Sequence, residues 1–402
     1  MQNKMTNLPQ GWEVKKLEEI ANIKGGKRLP KGENLLDNNT KFTYIRVADF
    51  QDNGTINLQN IKFINENTYN VLKNYKIYDD NLYISIAGTI GKSGIIPKEL
   101  NGAILTENAV KLEYIQNNIS NKFMYFFTLS NIFKTQIQTS TKIVAQPKLA
   151  ITRLKQIQIP LPPLKEQERI VGILDESFAK IDESIKILEQ NLLNLDELMQ
   201  SALQKAFNPL KDNAKENYKL PQSWEWKSLE EISENISAGG DKPKNCTESK
   251  TAKNQIPVYA NGVNNNGLVG YTDKATIIKP SLTISARGTI GFVCIRKEPY
   301  FPIVRLISLI PCENILCLHY LYFCLNFFIA KGEGSSIPQL TIPKFKSLQI
   351  PLPPIKEQEQ ITSHLDELSS HVKNLKQNYQ AQIKDLQELK NSLLDKAFKG
   401  NL

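Results

Sequence analysis

The chain is written twice, and any fold must accommodate that. "LPQGWEVKKLEEIANI" (residues 8–23) returns as "LPQSWEWKSLEEISEN" (220–235), and "ISIAGTIGKSGI" (84–95) returns as "ISARGTIGFVCI" (284–295). "IQIPLPPLKEQERI" (157–170) returns as "LQIPLPPIKEQEQI" (348–361), and "SALQKAF" (201–207) as "SLLDKAF" (392–398). The offset falls from 212 to 200 to 191, so the halves differ in loop length but keep their order. A period this long exceeds the 20–50 residues of a solenoid repeat, so each copy is a domain-sized unit.

Both halves share one plan. Short strand-like runs come first ("TYIRVADF", "NLYISIAG"; "QIPVYANG", "SLTISARG"), separated by Asn, Gly and Asp turns. An aromatic stretch comes next, "NKFMYFFTLSNIF" or "LCLHYLYFCLNFF", dense enough in large apolar groups to serve as domain core rather than as a base-stacking platform. The turn around Gly91-Lys92-Ser93 superficially suggests a phosphate-binding loop. Only two residues separate Gly88 from Gly91, and the second copy replaces Lys92 and Ser93 with Phe292 and Val293. The repeated feature is a strand and a tight turn, without the phosphate-binding pair.

A Pro-rich junction then opens a long helix in each half. Pro160, Pro162 and Pro163 exclude helix, Pro163 suits the first turn of the long helix, and Glu166 and Glu168 lie near the positive end of its dipole; Pro351, Pro353, Pro354, Glu357 and Glu359 repeat the arrangement. From Lys165 to Phe207 apolar residues recur at alternating spacings of three and four: Val171, Leu174, Phe178, Ile181, Ile185, Leu188, Leu192, Leu195, Met199 and Ala202. The partner stripe is Ile361, Leu365, Leu368, Val372, Leu375, Tyr379, Gln382, Leu386, Leu389 and Leu393. This is the seam of a coiled coil, and two stripes with a domain between them predict an antiparallel pair, each helix on the order of 60 Å long at 1.5 Å per residue. Separate docking of each helix on its own domain is the plainer alternative.

Charge separates these parts. The 402-residue chain carries a formal +9. Residues 165–207 hold five Lys/Arg against nine Asp/Glu, and residues 356–398 hold six against seven, so the remainder carries +14. Two basic heads beside an acidic-to-neutral coil suit an anionic polymer better than simple solubility. Basic side chains in turns are the candidate DNA contacts: Lys27, Arg28 and Lys31 in "GGKRLPKG", Arg46 after the first strand-like run, Lys92 and Arg287 beside the Gly-Thr-Ile-Gly turns, and Lys242 and Lys244 in "GGDKPK". Lys142, Lys148 and, in "GEGSSIPQ", Ser335, Ser336 and Gln339 precede the junctions. Each taken singly fits a solvated charge or phosphate contact better than a base reader.

The five cysteines (Cys246, Cys294, Cys312, Cys317, Cys324) form no Cys-x-x-Cys pair and read as buried thiols of a reduced cytoplasm. The longest apolar stretch, residues 315–330, falls short of the about 20 residues of a spanning helix, and the N-terminus lacks a signal-peptide core, so a cytoplasmic protein without membrane attachment is expected.

The doubled "IPLPPLKEQERI"/"IPLPPIKEQEQI", the doubled "GTIG" turn and the opening "LPQGWEVKKLEEI" resemble the specificity subunit of type I restriction-modification systems, over essentially the whole chain. The resemblance implies an α+β fold: two pseudo-repeated globular α/β target-recognition domains separated by two long antiparallel coiled-coil helices. The corresponding boundaries are residues 1–159 for the first recognition domain, 160–210 for the junction and central helix, 211–350 for the second recognition domain, and 351–402 for the second junction and C-terminal helix. It further implies a chain that binds double-stranded DNA, reads one half of a split asymmetric site with each head, sets the gap with the helix pair and docks modification subunits on the helical regions. Adenine methylation and ATP-driven cleavage would belong to modification and restriction subunits. S-adenosylmethionine, ATP and Mg would sit there, with no cofactor, metal or catalytic residue on this chain. The residues agree: Asn208-Pro209-Leu210 lacks the second proline and aromatic partner of an amino-methyltransferase loop, no Gly-x-Gly-x-x-Gly is present, Glu248-Ser249-Lys250 is an unpaired nuclease fragment, and His319, His364 and His371 include no catalytic pair. Two other readings stay open, a self-sufficient methyltransferase or nuclease, and a coiled-coil tether whose heads bind protein.

Overall fold

A computed structural model describes residues 8–38, 40–140, 148–207, 221–329 and 340–402. The chain divides into two compact units, Met1–Leu188 with Ala381–Leu402, and Glu189–Gln380. Each unit therefore combines a globular head with part of both long helices.

The first head contains β1 (Glu13–Lys16), β2 (Ala21–Gly25), β3 (Thr43–Ile45), β4 (Lys62–Phe63), β5 (Lys76–Ile77), β6 (Leu82–Ser85), β7 (Ser93–Ile95), β8 (Ala103–Leu105), β9 (Ala109–Tyr114) and β10 (Gln158–Leu161). One sheet runs β2-β9-β6-β7, antiparallel throughout; a second runs β4-β3-β8-β5, with β3 and β8 parallel. β6 is buried at all four positions, as a central strand covered on both faces must be.

The second head repeats this with β11 (Glu225–Ser228), β12 (Ser233–Ala238), β13 (Ile256–Tyr259), β14 (Leu268–Thr272), β15 (Ser281–Ile284), β16 (Val293–Arg296), β17 (Phe301–Pro302), β18 (Ile307–Pro311) and β19 (Gln349–Leu352). Its sheets run β12-β18-β15-β16 and β14-β13-β17, and β13 and β17 are again parallel.

The repeated opening and the repeated junction are strand partners. β1 pairs antiparallel with β10, placing Val14 opposite Pro160, and β11 pairs with β19, placing Trp226 opposite Pro351. A two-stranded ribbon is all edge, which is where a strand tolerates proline's missing donor. The two motifs recur together because each needs the other.

Both aromatic stretches are core helices. Phe123, Phe126 and Phe127 of Asn121–Leu129, and Tyr320, Leu321, Phe323 and Cys324 of Leu318–Phe328, are buried. The "KAF" repeats close these cores. Phe398 packs at 5.1 Å from Phe123 and 5.5 Å from Phe127, while Phe207 packs at 5.4 Å from Tyr320. Each head is thus gripped by the start of one long helix and the end of the other.

The long helices are Leu164–Phe207 and Ile355–Ala397. Within the first unit they run antiparallel, with Asp182 paired to Lys390 and the Arg169 guanidinium donating to the Leu402 carbonyl. Within the second unit, Asp196 pairs with Lys376 in the same sense. On the first helix Leu174, Ile181 and Leu195 are buried, and Phe178, Ile185, Leu188 and Leu192 are half-buried. On the second, Leu365 and Val372 are buried, and Leu368, Tyr379 and Leu386 half-buried.

Leu375, Gln382 and Leu389 depart from the expected seam: all three are exposed, the leucines at 39% and 46%. The inward position slides one residue to Lys376 and Lys390, whose stems lie inward while their ammonium groups reach Asp196 and Asp182. Lys390 also lies over the Phe178 ring at 4.9 Å. The inward register thus runs Val372, Lys376, Tyr379, Ile383, Leu386 and Lys390, which keeps the alternation of four and three.

The cysteines also differ from expectation. Cys324 is buried, but Cys246, Cys294, Cys312 and Cys317 are only partly covered, and all are free thiols. Burial pushes the Cys294 and Cys324 thiols up from their ordinary range, which disfavours the reactive thiolate. Among the described residues no helix is long and apolar enough to cross a membrane, and no cluster of potential metal ligands occurs.

Candidate nucleic-acid interface

In each head three loops meet at one end of the sheets, and paired glycines let them approach. In the first head Gly26 donates to the Ala109 carbonyl and Lys27 to the Leu105 carbonyl, both at 2.9 Å. A Cβ on Gly26 would stand 2.1 Å from the Thr106 carbonyl oxygen, so only glycine fits. In the second head Gly239 donates to the Leu306 carbonyl at 2.8 Å, and its Cβ would stand 2.6 Å from the Ile303 nitrogen. The "GG" of both copies thus presses the end of β2 or β12 against the turn after β8 or β17.

The Gly-Thr-Ile-Gly segments are hairpin turns. Gly91 donates to the Ser85 carbonyl at 2.9 Å and Gly291 to the Ser285 carbonyl at 3.0 Å. Gly88 and Gly288, with φ of 74° and 68°, take up the left-handed backbone. Each turn leads into a strand, so no helix N-terminus stands behind Lys92 to cradle a phosphate.

The hairpin leans on the turn between β8 and β9. Ile86 and Ala87 both donate to the Asn108 carbonyl, at 2.8 and 3.3 Å. In the second head the link is a side chain: Asn261 accepts from the Ala286 N–H at 2.8 Å and donates to the Val304 carbonyl at 2.6 Å.

The sequence candidates fall unevenly on this frame. Lys27, Arg28 and Lys92 belong to the three loops of the first head, and Lys148 lies on a separate segment bridged to Ala87 at the start of the hairpin turn. Lys31 is exposed further along the first loop. Arg46 is committed elsewhere: its Nε and Nη2 donate to Asp49, which is 2% exposed, and Nη2 also donates to the Asn60 carbonyl. This chelation raises the Arg46 pKa and locks the turn after β3. In the second head Lys242, Lys244 and Arg287 are exposed on the corresponding loops. Lys142, Ser335, Ser336 and Gln339 lie outside the described residues.

Sequence reading missed the acids and the turn tips. Arg28 Nε donates to Glu107 at 2.8 Å, Thr106 Oγ1 donates to the same carboxylate at 3.0 Å, and the Tyr44 hydroxyl donates to the Lys27 carbonyl at 2.8 Å. Partial burial pushes the Glu107 carboxyl up, but the hydrogen bonds from Arg28 and Thr106 outweigh it and hold the group below the usual carboxylate range. Burial pushes the Tyr44 hydroxyl up to about 12, so it stays a donor. Lys92 pairs with Asp52 at 2.8 Å. In the second head, among the described residues, no ion pair engages Lys242, Lys244 or the exposed Arg305. The doubled Gly-Gly could have located the turns, since each pair needs a backbone to press against.

The doubled "KEQE" has a structural answer. Gln167, 1% exposed, accepts from the Ser120 N–H at 2.8 Å and donates to the Asn118 and Pro162 carbonyls at 3.1 and 2.9 Å. Gln358, fully buried, accepts from the Cys317 N–H and donates to the Ile315 and Pro353 carbonyls, each at 2.8 Å. One buried amide in each unit thus joins the long helix, the junction and the loop before the aromatic helix.

The sequence pattern of the type I restriction modification DNA specificity domain matches residues 9–193 and 221–385. A type I specificity subunit from Mycoplasma pneumoniae is 29% identical over 359 residues, covering 88% of each chain. The EcoBI specificity subunit of Escherichia coli is 29% identical over 205 residues, covering 50% of this chain and 42% of that one. Among solved structures, a chain from work on assembly and conformational transition of the type I R-M system has a TM-score of 0.81 at 20% identity, covering 98% of this chain and all of that one. The HsdS subunit from Thermoanaerobacter tengcongensis has a TM-score of 0.60 at 20% identity, with both chains fully covered.

Proposed function

Because this chain belongs to the type I restriction-modification DNA specificity family, we propose that it is the sequence-reading subunit of such a system, each head reading one half of a split DNA site. The observation that carries this reading is the doubled loop cluster. One backbone frame, built from the same glycine pair, hairpin turn and strand-end turn, displays different side chains in each head, as two readers of two different sequences require. Cationic loops supply affinity through phosphate neutralisation, and the side chains at the turn tips supply discrimination at base edges.

The helix pair acts as the ruler. Heads held at a fixed separation and rotation enter their grooves together only when the half-sites have one spacing. Methyl transfer and ATP-driven cleavage fall to partner subunits that bring their own S-adenosylmethionine, ATP and Mg, and the protein works in the cytoplasm on double-stranded DNA. A seven-residue insertion in both helices tests the ruler: the gap of the recognised site lengthens or recognition is lost, whereas an unchanged site refutes it. Incubating the purified chain alone with S-adenosylmethionine and DNA separates this reading from a self-sufficient methyltransferase, since no methyl transfer is expected without partners.

A further inference from the structure

We propose that the two-residue turn Val304-Arg305 is a specificity-determining element of the second head, with Arg305 reading a guanine edge and Val304 packing against the neighbouring base. This rests on the reading of the chain as a DNA-sequence reader. Val304 and Arg305 adopt φ of 54° and 63°, consecutive left-handed conformations that glycine or asparagine would take more easily and that a β-branched residue resists. The turn is over-determined. Val304 N–H donates to Gly240 at 2.8 Å, Arg305 N–H to Gly239 at 3.0 Å, Leu306 N–H to Ile303 at 3.1 Å, and Asn261 Nδ2 to the Val304 carbonyl at 2.6 Å. Such strain, held by surrounding structure and displaying its side chains to solvent, points to a site that contacts something.

The side chains suit one partner. Val304 is 51% exposed beside the exposed Arg305, and among the described residues no ion pair occupies Arg305. An arginine presents a fork that matches guanine O6 and N7 in the major groove, and an adjacent apolar group suits a thymine methyl.

The first head shows what the position can vary. The same hydrogen bond closes its turn, from Ala109 N–H to Thr106, and the same glycine contact backs it, from Gly26 N–H to Ala109. By this register Glu107 and Asn108 stand where Val304 and Arg305 stand. Glu107 turns to Arg28 on the adjoining loop, so this head presents a carboxylate-braced arginine instead. One frame thus carries two different reading surfaces.

The test compares adenine methylomes of a host lacking any such system, expressing the modification subunit with wild-type chain, Arg305→Ala or Val304→Gly. Glycine accepts the left-handed backbone, so the second variant keeps the turn. The expected result is a split motif for wild type, with one guanine position of one half made degenerate by Arg305→Ala and an adjacent position loosened by Val304→Gly. The other half and the gap stay unchanged.

A motif unchanged in Arg305→Ala, whether methylated fully or evenly more weakly, overturns the proposal; even weakening marks a phosphate contact. If Arg305→Ala complexes are silent, binding decides. Against duplexes altered one base pair at a time, wild type should lose about tenfold or more at one guanine where the variant loses nothing. Equal losses for both proteins overturn the proposal. A wild-type methylome without a split motif overturns the functional reading itself and this inference with it, a failure distinct from an unchanged split motif.

Discussion

The two heads share a frame and differ in how that frame holds charge. In the first, Arg28 is braced by Glu107, Arg46 by Asp49 and Lys92 by Asp52. In the second, Lys242, Lys244 and Arg305 stand without ion pairs among the described residues, and the turn corresponding to Glu107-Asn108 is instead held in left-handed backbone. The glycine contact behind the strand-end turn, the Gly-Thr-Ile-Gly hairpin bond, the closure of each aromatic core by a helix-end phenylalanine and the glutamine clamp recur in both units. Duplication therefore preserved the packing that positions the loops and changed the side chains that the loops present.

Breaking the shared packing should have the largest effect. Phe398→Ala and Phe207→Ala each empty an aromatic core site and should cost about 3–5 kcal/mol, Phe398→Ala in the first unit and Phe207→Ala in the second. Hydrogen exchange resolved by region would check that assignment, and loss of protection in the other unit would contradict it.

Removing the clamp comes next. Gln167→Leu or Gln358→Leu takes the side-chain partner from one partly buried N–H and two carbonyls, and should cost on the order of 2 kcal/mol by thermal denaturation. Equal effects at the two sites would show that the clamp does the same work in both heads; a large difference would break the symmetry.

The charge comparison is sharpened by Glu107→Gln, which releases Arg28. The salt dependence of DNA binding should steepen, by about one unit in the logarithmic slope if the freed guanidinium takes one more phosphate. The brace is also pH-dependent. Because the folded carboxyl titrates below its ordinary value, its stabilisation is present above the unfolded pKa and is lost as pH falls through the folded one. Glu107→Gln should lose that acid sensitivity, as measured by denaturation across pH.

The smallest effect is expected at Leu389. Exposed outside the seam, Leu389→Gln should change stability by no more than about 0.5 kcal/mol, whereas Leu386→Ala, at a half-buried position, should cost clearly more.

The doubled architecture, the extents of both long helices, the first helix's packing stripe and the aromatic cores were legible because each depends on local pattern: repeats, spacing and apolar density. The second helix's register was not. A heptad count ranks Leu375 above Lys376, but the partner's Asp196 makes the lysine the better inward residue, and that acid lies 180 residues away. The candidate interface was half legible for the same reason. Basic residues in turns stand out in a sequence, while their bracing acids come from other loops and the turn tips look like ordinary strand ends. Val304 carries no local signal of left-handed backbone; its conformation is imposed by Gly239, Gly240 and Asn261.

The most direct test is the adenine methylome of a naive host expressing this chain with a type I modification subunit, repeated after residues 1–155 are exchanged for those of another family member. One split motif with two defined halves is expected, and an exchange that rewrites one half while leaving the other half and the gap intact. A short continuous motif, or an exchange that alters both halves, would contradict it.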